Sequence, residues 1–301
     1  MSREVYREFY YQAAVFFKQV VIMLPYHSAI MVGGLLGALS YYAIPKARRI
    51  AIENLSLSFP EKSDDEIRTI ARESFINQGK NLFEVFSFPA LSESDFRGIV
   101  EIENKDVLKR ALARGKGVIL AGAHCGNWEI LGVGLVQCGF PLSVMARRIY
   151  IEKLNQMLLG FRTSKGIKII LRSGKESARQ ILRCIRGNEI MGLLIDQDTA
   201  VPGGFVDFFG RPAWTPSGLV TLALKTEATV VLALDRRVRG DKHKGSVIGP
   251  LVMVRTGDEK KDVLVNTQFV TRLIEAHIRK YPEQWVWMHQ RWKTQPTTVT
   301  P

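Results

Sequence analysis

The 301-residue chain has few of the residues that build disulfide or metal frameworks. Its three cysteines show no paired spacing and no CxxC motif, which favours a reducing environment. Its five histidines are dispersed and HExxH is absent, so we expect neither a metal nor another cofactor. GxSxG is absent too, so the nucleophile turn of a serine hydrolase is not indicated. Helix-turn-helix, zinc-finger and RNA-recognition signatures are also absent, so nucleic acid is not an expected partner.

Acidic residues are in the minority, with 29 Asp and Glu against 42 Lys and Arg, and the formal net charge is +13. This excess favours an anionic membrane surface, a phosphorylated substrate or an acidic protein partner. A hydrophobic content of 46% is enough to form the core of one large domain. No internal repeat or low-complexity segment is evident.

Charge is also scarce near the amino terminus, where the chain is strongly apolar from Ala13 to Ile44 and residues 28–44 carry none. That uncharged stretch is at the short end for a bilayer span, and no early basic region or cleavage site indicates a signal peptide. An interfacial or hairpin-like anchor, a single tilted span and a buried helix of a soluble fold all remain open. Tyrosines followed by basic residues favour an anchor with its basic side towards the cytoplasm: Tyr41, Tyr42, Lys46, Arg48 and Arg49.

The rest of the chain predicts an α/β fold. Ser63 and Glu66 form a capping box for an amphipathic helix, and from residue 103 short apolar runs alternate with amphipathic helices. This alternation predicts a mixed, largely parallel sheet flanked by helices. Helices are predicted at 104–114, 127–138, 151–164, 175–187, 216–226 and 262–280. Strands are predicted at 117–122, 141–147, 167–171, 189–195, 205–209, 229–236 and 247–254. The predicted organisation is a membrane-associated helical segment at 1–45, an α/β domain at 46–295 and a disordered tail at 296–301.

The motif GAHCGNWEI at 122–130 indicates the chemistry most clearly. His124 follows an apolar strand, and Glu129 lies five positions later in the first turn of a helix. Such a pair can act as a general base with an orienting carboxylate, and it can remove a proton from a hydroxyl that attacks an acyl carbonyl. An isolated histidine near a strand end is more often structural, so the pair does not establish catalysis by itself.

Other charged residues also follow predicted strands and helices. Arg147, beside Arg148, suits a phosphate or carboxylate, although a solvated surface charge explains it equally well. Arg162 lies in the last turn of a helix, where the helix dipole alone accounts for a cation. Asp196, near Asp198, could orient a cation, hydrogen-bond a substrate or cap the next loop.

Five segments occur together in one order: GAHCGNWE, the pair Arg147 and Arg162, LLIDQD, VDFFGRPAWTPSG and PEQWVWMHQRWK. Over nearly the whole chain this set resembles the bacterial late acyltransferases of lipid A biosynthesis, within the lysophospholipid acyltransferase superfamily. Phosphatidylinositol mannoside acyltransferases share much of it. The resemblance implies that His124 is the catalytic histidine and Glu129 its acidic partner. It also implies that Arg162 and Asp196 are needed for activity and that Arg147 contacts substrate.

By the same resemblance, the protein moves a fatty acyl chain from acyl carrier protein or coenzyme A to a hydroxyl of a membrane glycolipid. The expected acceptor is a lipid A precursor at the cytoplasmic face of the bacterial inner membrane, with phosphatidylinositol mannoside-type or glycerophospholipid acceptors as alternatives. The backbone N–H groups of Gly126, Asn127 and Trp128, at a helix start, are expected oxyanion donors. Two competing interpretations are a hydrolase with Cys125 or a serine as nucleophile and a non-enzymatic membrane lipid-binding protein.

Overall fold

Five α-helices precede the first of nine β-strands, and six more α-helices follow it, along residues 3–172 and 174–296, the part of the chain that this computed structural model describes. The helices are α1 (Arg3–Met23), α2 (Tyr26–Ala43), α3 (Pro45–Ser58), α4 (Asp64–Ser87), α5 (Glu93–Ile99), α6 (Asp106–Ala113), α7 (Trp128–Gln137), α8 (Glu152–Thr163), α9 (Lys175–Arg186), α10 (Gly218–Thr226) and α11 (Glu259–Lys280). The strands are β1 (Val100–Glu103), β2 (Val118–Gly122), β3 (Leu142–Ala146), β4 (Lys168–Leu171), β5 (Ile190–Leu194), β6 (Gly203–Phe208), β7 (Arg211–Pro216), β8 (Thr229–Val238) and β9 (Lys242–Leu251).

Seven strands form one sheet in the order β1-β9-β8-β2-β5-β3-β4, and β6 and β7 pair separately. Within the large sheet all neighbours are parallel except the β8–β9 hairpin. The central strand β2 is buried at every residue. Ile119 and Ala121 pack into the core on one face of the sheet, and Val118 and Leu120 into the core on the other. A strand covered on both faces needs such a continuous apolar run, and the predicted mixed, largely parallel sheet flanked by helices is confirmed.

Three strands differ from the sequence-based prediction because their residues are polar or include proline. Strand β7 contains Pro212 and Pro216, which indicate a turn in the sequence but are tolerated in a two-stranded ribbon. Strand β9 begins at Lys242, five residues earlier than predicted, because its buried positions include His243 and Gly245 as well as Val247. Strand β1 carries two glutamates in four residues and was not predicted.

Helices α2 and α4 cross at glycines. A methyl group added at Gly37 would overlap the carbonyl oxygen of Phe75, and one added at Gly79 would overlap that of Gly33. The two backbones therefore touch, in the way that small residues allow helices to approach. The α2 side of this contact includes Ala29 and Ile30, which are fully buried.

Within the described ranges, no single helix is long and apolar enough to cross a membrane. Helices α2 and α3 together have sufficient length and composition, but they are bent by 91° at their junction. Apart from Pro296, the tail predicted to be disordered lies outside the described residues.

We expect Gly37→Ala to lower the free energy of unfolding by about 1–3 kcal/mol, because the added methyl must push α2 away from α4. Denaturant unfolding of the full chain measures this loss. Gly98→Ala is the control, since Gly98 lies in α5 and a methyl there meets nothing within 4 Å. The control should be neutral or slightly stabilising. Equal stabilities of the two variants would contradict a tight α2–α4 contact.

Candidate active site

The carboxyl ends of β2 and β5 bring His124 and Asp196 together. The two strands are parallel neighbours, and Gly122 pairs in register with Leu194. His124 and Asp196 each lie two residues beyond that pair along their own chain segment. The carboxyl ends of neighbouring parallel strands are where open α/β sheets place their ligand sites.

Asp196 holds both the backbone and the ring of His124. Its Oδ2 accepts hydrogen bonds from the His124 backbone N–H at 2.8 Å and from Trp285 Nε1 at 2.7 Å. Its Oδ1 lies 2.8 Å from His124 Nδ1. Burial raises the pKa of Asp196, but His124 and the hydrogen bonds from His124 and Trp285 lower it to about 2. The ionised carboxylate therefore accepts the Nδ1 proton and leaves Nε2 as the basic ring nitrogen.

Glu129 contacts Arg162 rather than His124. Arg162 donates from Nε to Glu129 Oε2 at 2.8 Å and from Nη2 to Oε1 at 2.5 Å. In the part of the chain that the structure describes, Asp196 is the only carboxylate within hydrogen-bond distance of the His124 ring. The structure thus contradicts the expected contact between Glu129 and His124. The physical reason is that the first turn of α7 meets the last turn of α8, whereas the end of β5 lies beside His124.

In the turn between β2 and α7, two of the three expected oxyanion donors already donate hydrogen bonds to other residues of the protein. The Gly126 N–H donates to the Gln284 carbonyl at 2.9 Å, and the Asn127 N–H donates to Asp235 Oδ2 at 2.7 Å. The prediction is therefore wrong for Gly126 and Asn127, because both amides hold the turn in place. The Trp128 N–H starts α7 and has no acceptor among the described residues, so it remains available at the positive end of the helix.

A cavity of about 800 Å³ opens beside His124. Its charged wall contains Glu129, Arg147 and Arg162, so the structure brings these predicted residues together around the histidine. Asp196 lies behind the ring and is only 3% exposed. Most of the remaining wall is apolar and includes Ile181, Leu182, Leu193, Val201, Leu219 and Leu222. A polar end beside a long apolar wall suits a ligand with a reactive head and a hydrocarbon chain.

Two neighbouring residues have structural roles. Asp198 accepts hydrogen bonds from the backbone N–H and the hydroxyl of Thr294, at 2.8 and 3.0 Å, and so fixes the carboxy-terminal segment. Cys125 is 1% exposed, and burial together with Asp196 and Asp235 raises the pKa of its thiol well above the ordinary value. A thiolate nucleophile at Cys125 is therefore disfavoured.

A buried charged cluster below the turn was missed by sequence reasoning. Glu84 accepts hydrogen bonds from Arg237 Nη1 and Nη2 at 2.5 and 2.8 Å, and it lies 3.0 Å from His243 Nε2. The other ring nitrogen of His243 lies 2.7 Å from Asp235 Oδ2, the atom that also accepts from the Asn127 N–H. The cluster thus contacts the turn between β2 and α7 directly.

The members of this cluster keep one another charged. Burial lowers the pKa of His243, but Asp235 and Glu84 raise it to about 9. Burial raises the pKa of Glu84, but His243 and Arg237 lower it well below its ordinary value. Gly126 packs against the cluster at a φ of +54°, and a side chain there would overlap Asp235.

The raised pKa of His243 predicts a loss of stability at alkaline pH. A histidine whose pKa rises on folding stabilises the protein fully below its unfolded pKa of about 6.5, and this stabilisation is lost as the pH rises through about 9. The loss is on the order of 3 kcal/mol. Unfolding curves of wild type and His243→Gln across this range measure it, and the variant should lack this part of the pH dependence.

His277→Gln is the control for that experiment, since burial lowers the pKa of His277 and its loss should leave the alkaline transition unchanged. Parallel stability profiles for wild type and His243→Gln would show that His243 is neutral in the folded protein.

Known acyltransferases are similar to this chain over most of its length. It is 28% identical over 268 residues to the phosphatidylinositol mannoside acyltransferase of Mycolicibacterium smegmatis, covering 87% of this chain and 85% of that protein. It is 26% identical over 283 residues to the lipid A biosynthesis palmitoleoyltransferase of Escherichia coli, covering 91% and 88%. The lipid A biosynthesis lauroyltransferase of Escherichia coli is 24% identical over 287 residues, covering 93% and 90%.

The family described as bacterial lipid A biosynthesis acyltransferase matches residues 2–294, which include all the residues around the cavity. The resemblance drawn from the five motifs is confirmed, and the non-enzymatic interpretation is excluded because the family is one of enzymes. The chain belongs to the bacterial lipid A biosynthesis acyltransferase family and is an acyltransferase.

Proposed function

We propose that the protein transfers a fatty acyl chain from an acyl thioester to a hydroxyl of a membrane glycolipid, with His124 as general base. The observation that carries this proposal is the pairing of His124 Nδ1 with the buried Asp196, which leaves Nε2 as the base of a ring that lines the cavity. The thioester is carried by acyl carrier protein or coenzyme A. Its hydrocarbon chain fits the apolar wall of the cavity.

In this mechanism the acceptor hydroxyl gives its proton to His124 Nε2 as its oxygen attacks the thioester carbonyl carbon. A carbon–oxygen bond forms, and the Trp128 N–H stabilises the oxyanion. The carbon–sulfur bond then breaks, and the His124 imidazolium returns the proton to the departing thiolate. Asp196 stabilises the imidazolium between these steps, and no covalent enzyme intermediate is needed.

Glu129 is proposed to act through Arg162. The two hydrogen bonds between them fix the guanidinium in the cavity wall, where its charge can hold an oxyanion or a phosphate of a substrate. Arg147 lies in the same wall, is exposed and has no carboxylate within 4 Å in the described ranges. It suits a phosphate of the glycolipid acceptor or of the thioester carrier.

The acceptor is proposed to reach the cavity from the cytoplasmic face of the bacterial inner membrane. Helix α1 contacts the loop after Arg147, where Arg7 donates to the Tyr150 hydroxyl, and the start of α8, where Glu8 pairs with Lys153 at 2.7 Å. The outer surface of α1 exposes large apolar side chains: Val5, Tyr6, Phe9, Tyr10, Phe16, Val20 and Met23. This surface and the net charge of +13 suit an anionic bilayer.

The proposed acceptor is a lipid A precursor, as in the names of the Escherichia coli relatives. A phosphatidylinositol mannoside is the second candidate, favoured by the 28% identity to the Mycolicibacterium smegmatis protein. Purified protein given each acceptor, together with a lysophospholipid and an acyl thioester, distinguishes the candidates by mass spectrometry of the products. Transfer to none of the three would contradict the proposed function.

We expect His124→Ala to reduce acyl transfer by about 100- to 10,000-fold, the range that a placed general base contributes. Turnover is measured at equal thermal stability of variant and wild type. His27→Ala is the control, because the side chain of His27 is 69% exposed and lies outside the cavity. Near-normal turnover in a folded His124→Ala variant would remove His124 from the mechanism.

Glu129→Gln and Arg162→Gln should each reduce turnover about tenfold or more, because each leaves a charged partner without its counter-ion. If Glu129 acts through Arg162, the double variant should lose much less than the product of the two single losses. The pair Arg148 and Glu152, which is exposed and 3.8 Å apart, is the control and should show little change. Fully multiplicative losses would contradict a joint role.

A further inference from the structure

A second cleft, of about 590 Å³, lies where α2, α3 and α4 meet. The 91° bend between α2 and α3 opens it, and α4 closes its other side. Tyr41 and Tyr42 line it from the end of α2, Arg48 from α3, and Arg68 and Arg72 from α4. It shares no lining residue with the cavity beside His124.

The three arginines of this cleft lack counter-ions. Within the described residues, no carboxylate lies within 4 Å of Arg48, Arg68 or Arg72, although Asp65 and Glu73 also line the cleft. The lining therefore carries an excess of one positive charge. Guanidinium groups without an internal partner suit an anionic oxygen ligand, which they bind with paired hydrogen bonds.

The position of the cleft indicates where such a ligand comes from. Met31, Leu35, Leu39 and Tyr42 follow one another along α2, and each is more than half exposed. This apolar stripe ends at the cleft, where tyrosines and arginines replace the aliphatic residues. Aromatic and basic side chains beyond an apolar surface are characteristic of the membrane–water interface.

The Arg48 side chain is already oriented within the cleft. Its guanidinium lies 5.5 Å from the centre of the Tyr41 ring, and Tyr41 is itself 7% exposed. Tyr41 also packs edge-on against Phe75 of α4, with ring centres 5.5 Å apart. The wall that carries Arg48 is therefore supported by the α2–α4 core.

We propose that this cleft binds the phosphate of an anionic membrane lipid that is not consumed in the reaction. The bound headgroup would fix the depth and orientation of α2 at the bilayer surface. This inference rests on the proposed membrane association of α1 and α2, and it does not depend on the acyl-transfer chemistry.

The test compares two double variants of the full-length protein. R68Q/R72Q removes two charges from the cleft, whereas K46Q/R49Q removes two exposed charges from the neighbouring α3 and leaves the cleft lining intact. Binding is measured by flotation with vesicles of phosphatidylcholine alone and with phosphatidylglycerol added, at constant ionic strength.

A diffuse attraction would weaken binding to the anionic vesicles about fivefold for each lost charge, equally in both variants. A specific site predicts that R68Q/R72Q loses at least about tenfold more than K46Q/R49Q, with unchanged binding to neutral vesicles. Equal losses in the two variants would overturn the proposal.

Two further results would also decide against it. Protection from thermal unfolding by inorganic phosphate alone, equal to that by the anionic vesicles, would identify a soluble phosphate as the ligand. Failure of the wild type to bind either vesicle would overturn the membrane association and the lipid site together. Turnover on a detergent-solubilised acceptor reports separately on the proposed function and should be unchanged in R68Q/R72Q.

Discussion

The hydrogen-bonded contact between His124 and Asp196 is the interaction on which the rest of the site depends. It exists because β2 and β5 are parallel neighbours in register, so that the residues after their carboxyl ends, His124 and Asp196, lie side by side. Asp196 contacts the backbone as well as the ring of His124, and Trp285 completes its hydrogen bonding. A buried carboxylate with this many donors stays ionised, and its charge fixes which nitrogen of the His124 ring carries the proton.

The turn that follows His124 is held by hydrogen bonds to buried polar and charged groups. Asp235 accepts from the Asn127 amide, and Asn81 donates to the Gly126 carbonyl at 2.5 Å. Burying a charge is costly unless it is paired, and here Glu84 and Asp235 share His243 between them. The turn is therefore fixed by hydrogen bonds on several sides, and the role proposed for the Trp128 N–H requires such a preorganised donor.

Helix α4 connects this turn to the amino-terminal helices. One part of it touches the glycines of α2, and the next two turns supply Asn81 and Glu84 to the cluster. Tyr26, the first residue of α2, donates its hydroxyl to Glu84 at 3.2 Å. Helix α2, which is proposed to lie at the bilayer surface, and the turn between β2 and α7 therefore both contact helix α4.

Sequence alone predicted most strands of the main sheet and named the residues that line the candidate site. Apolar runs and helical spacing predicted six of the seven strands in the main sheet, and the residues His124, Glu129, Arg147, Arg162 and Asp196 all lie at or directly behind the cavity. The strands could be predicted because burial on both faces of a sheet requires continuous apolar residues. The site residues could be predicted because open α/β sheets place their ligand sites at the carboxyl ends of the strands.

Only the tertiary structure decided how those residues pair. His124 and Glu129 are close in sequence, but the ring contacts Asp196, 72 residues away, and the carboxylate contacts Arg162, 33 residues away. The cluster of Glu84, Asp235 and His243 joins three elements whose polar residues gave no periodic signal. A hydrogen bond requires its donor and acceptor atoms to lie about 2.7–3.2 Å apart, and sheet register and helix packing set that distance rather than spacing along the chain.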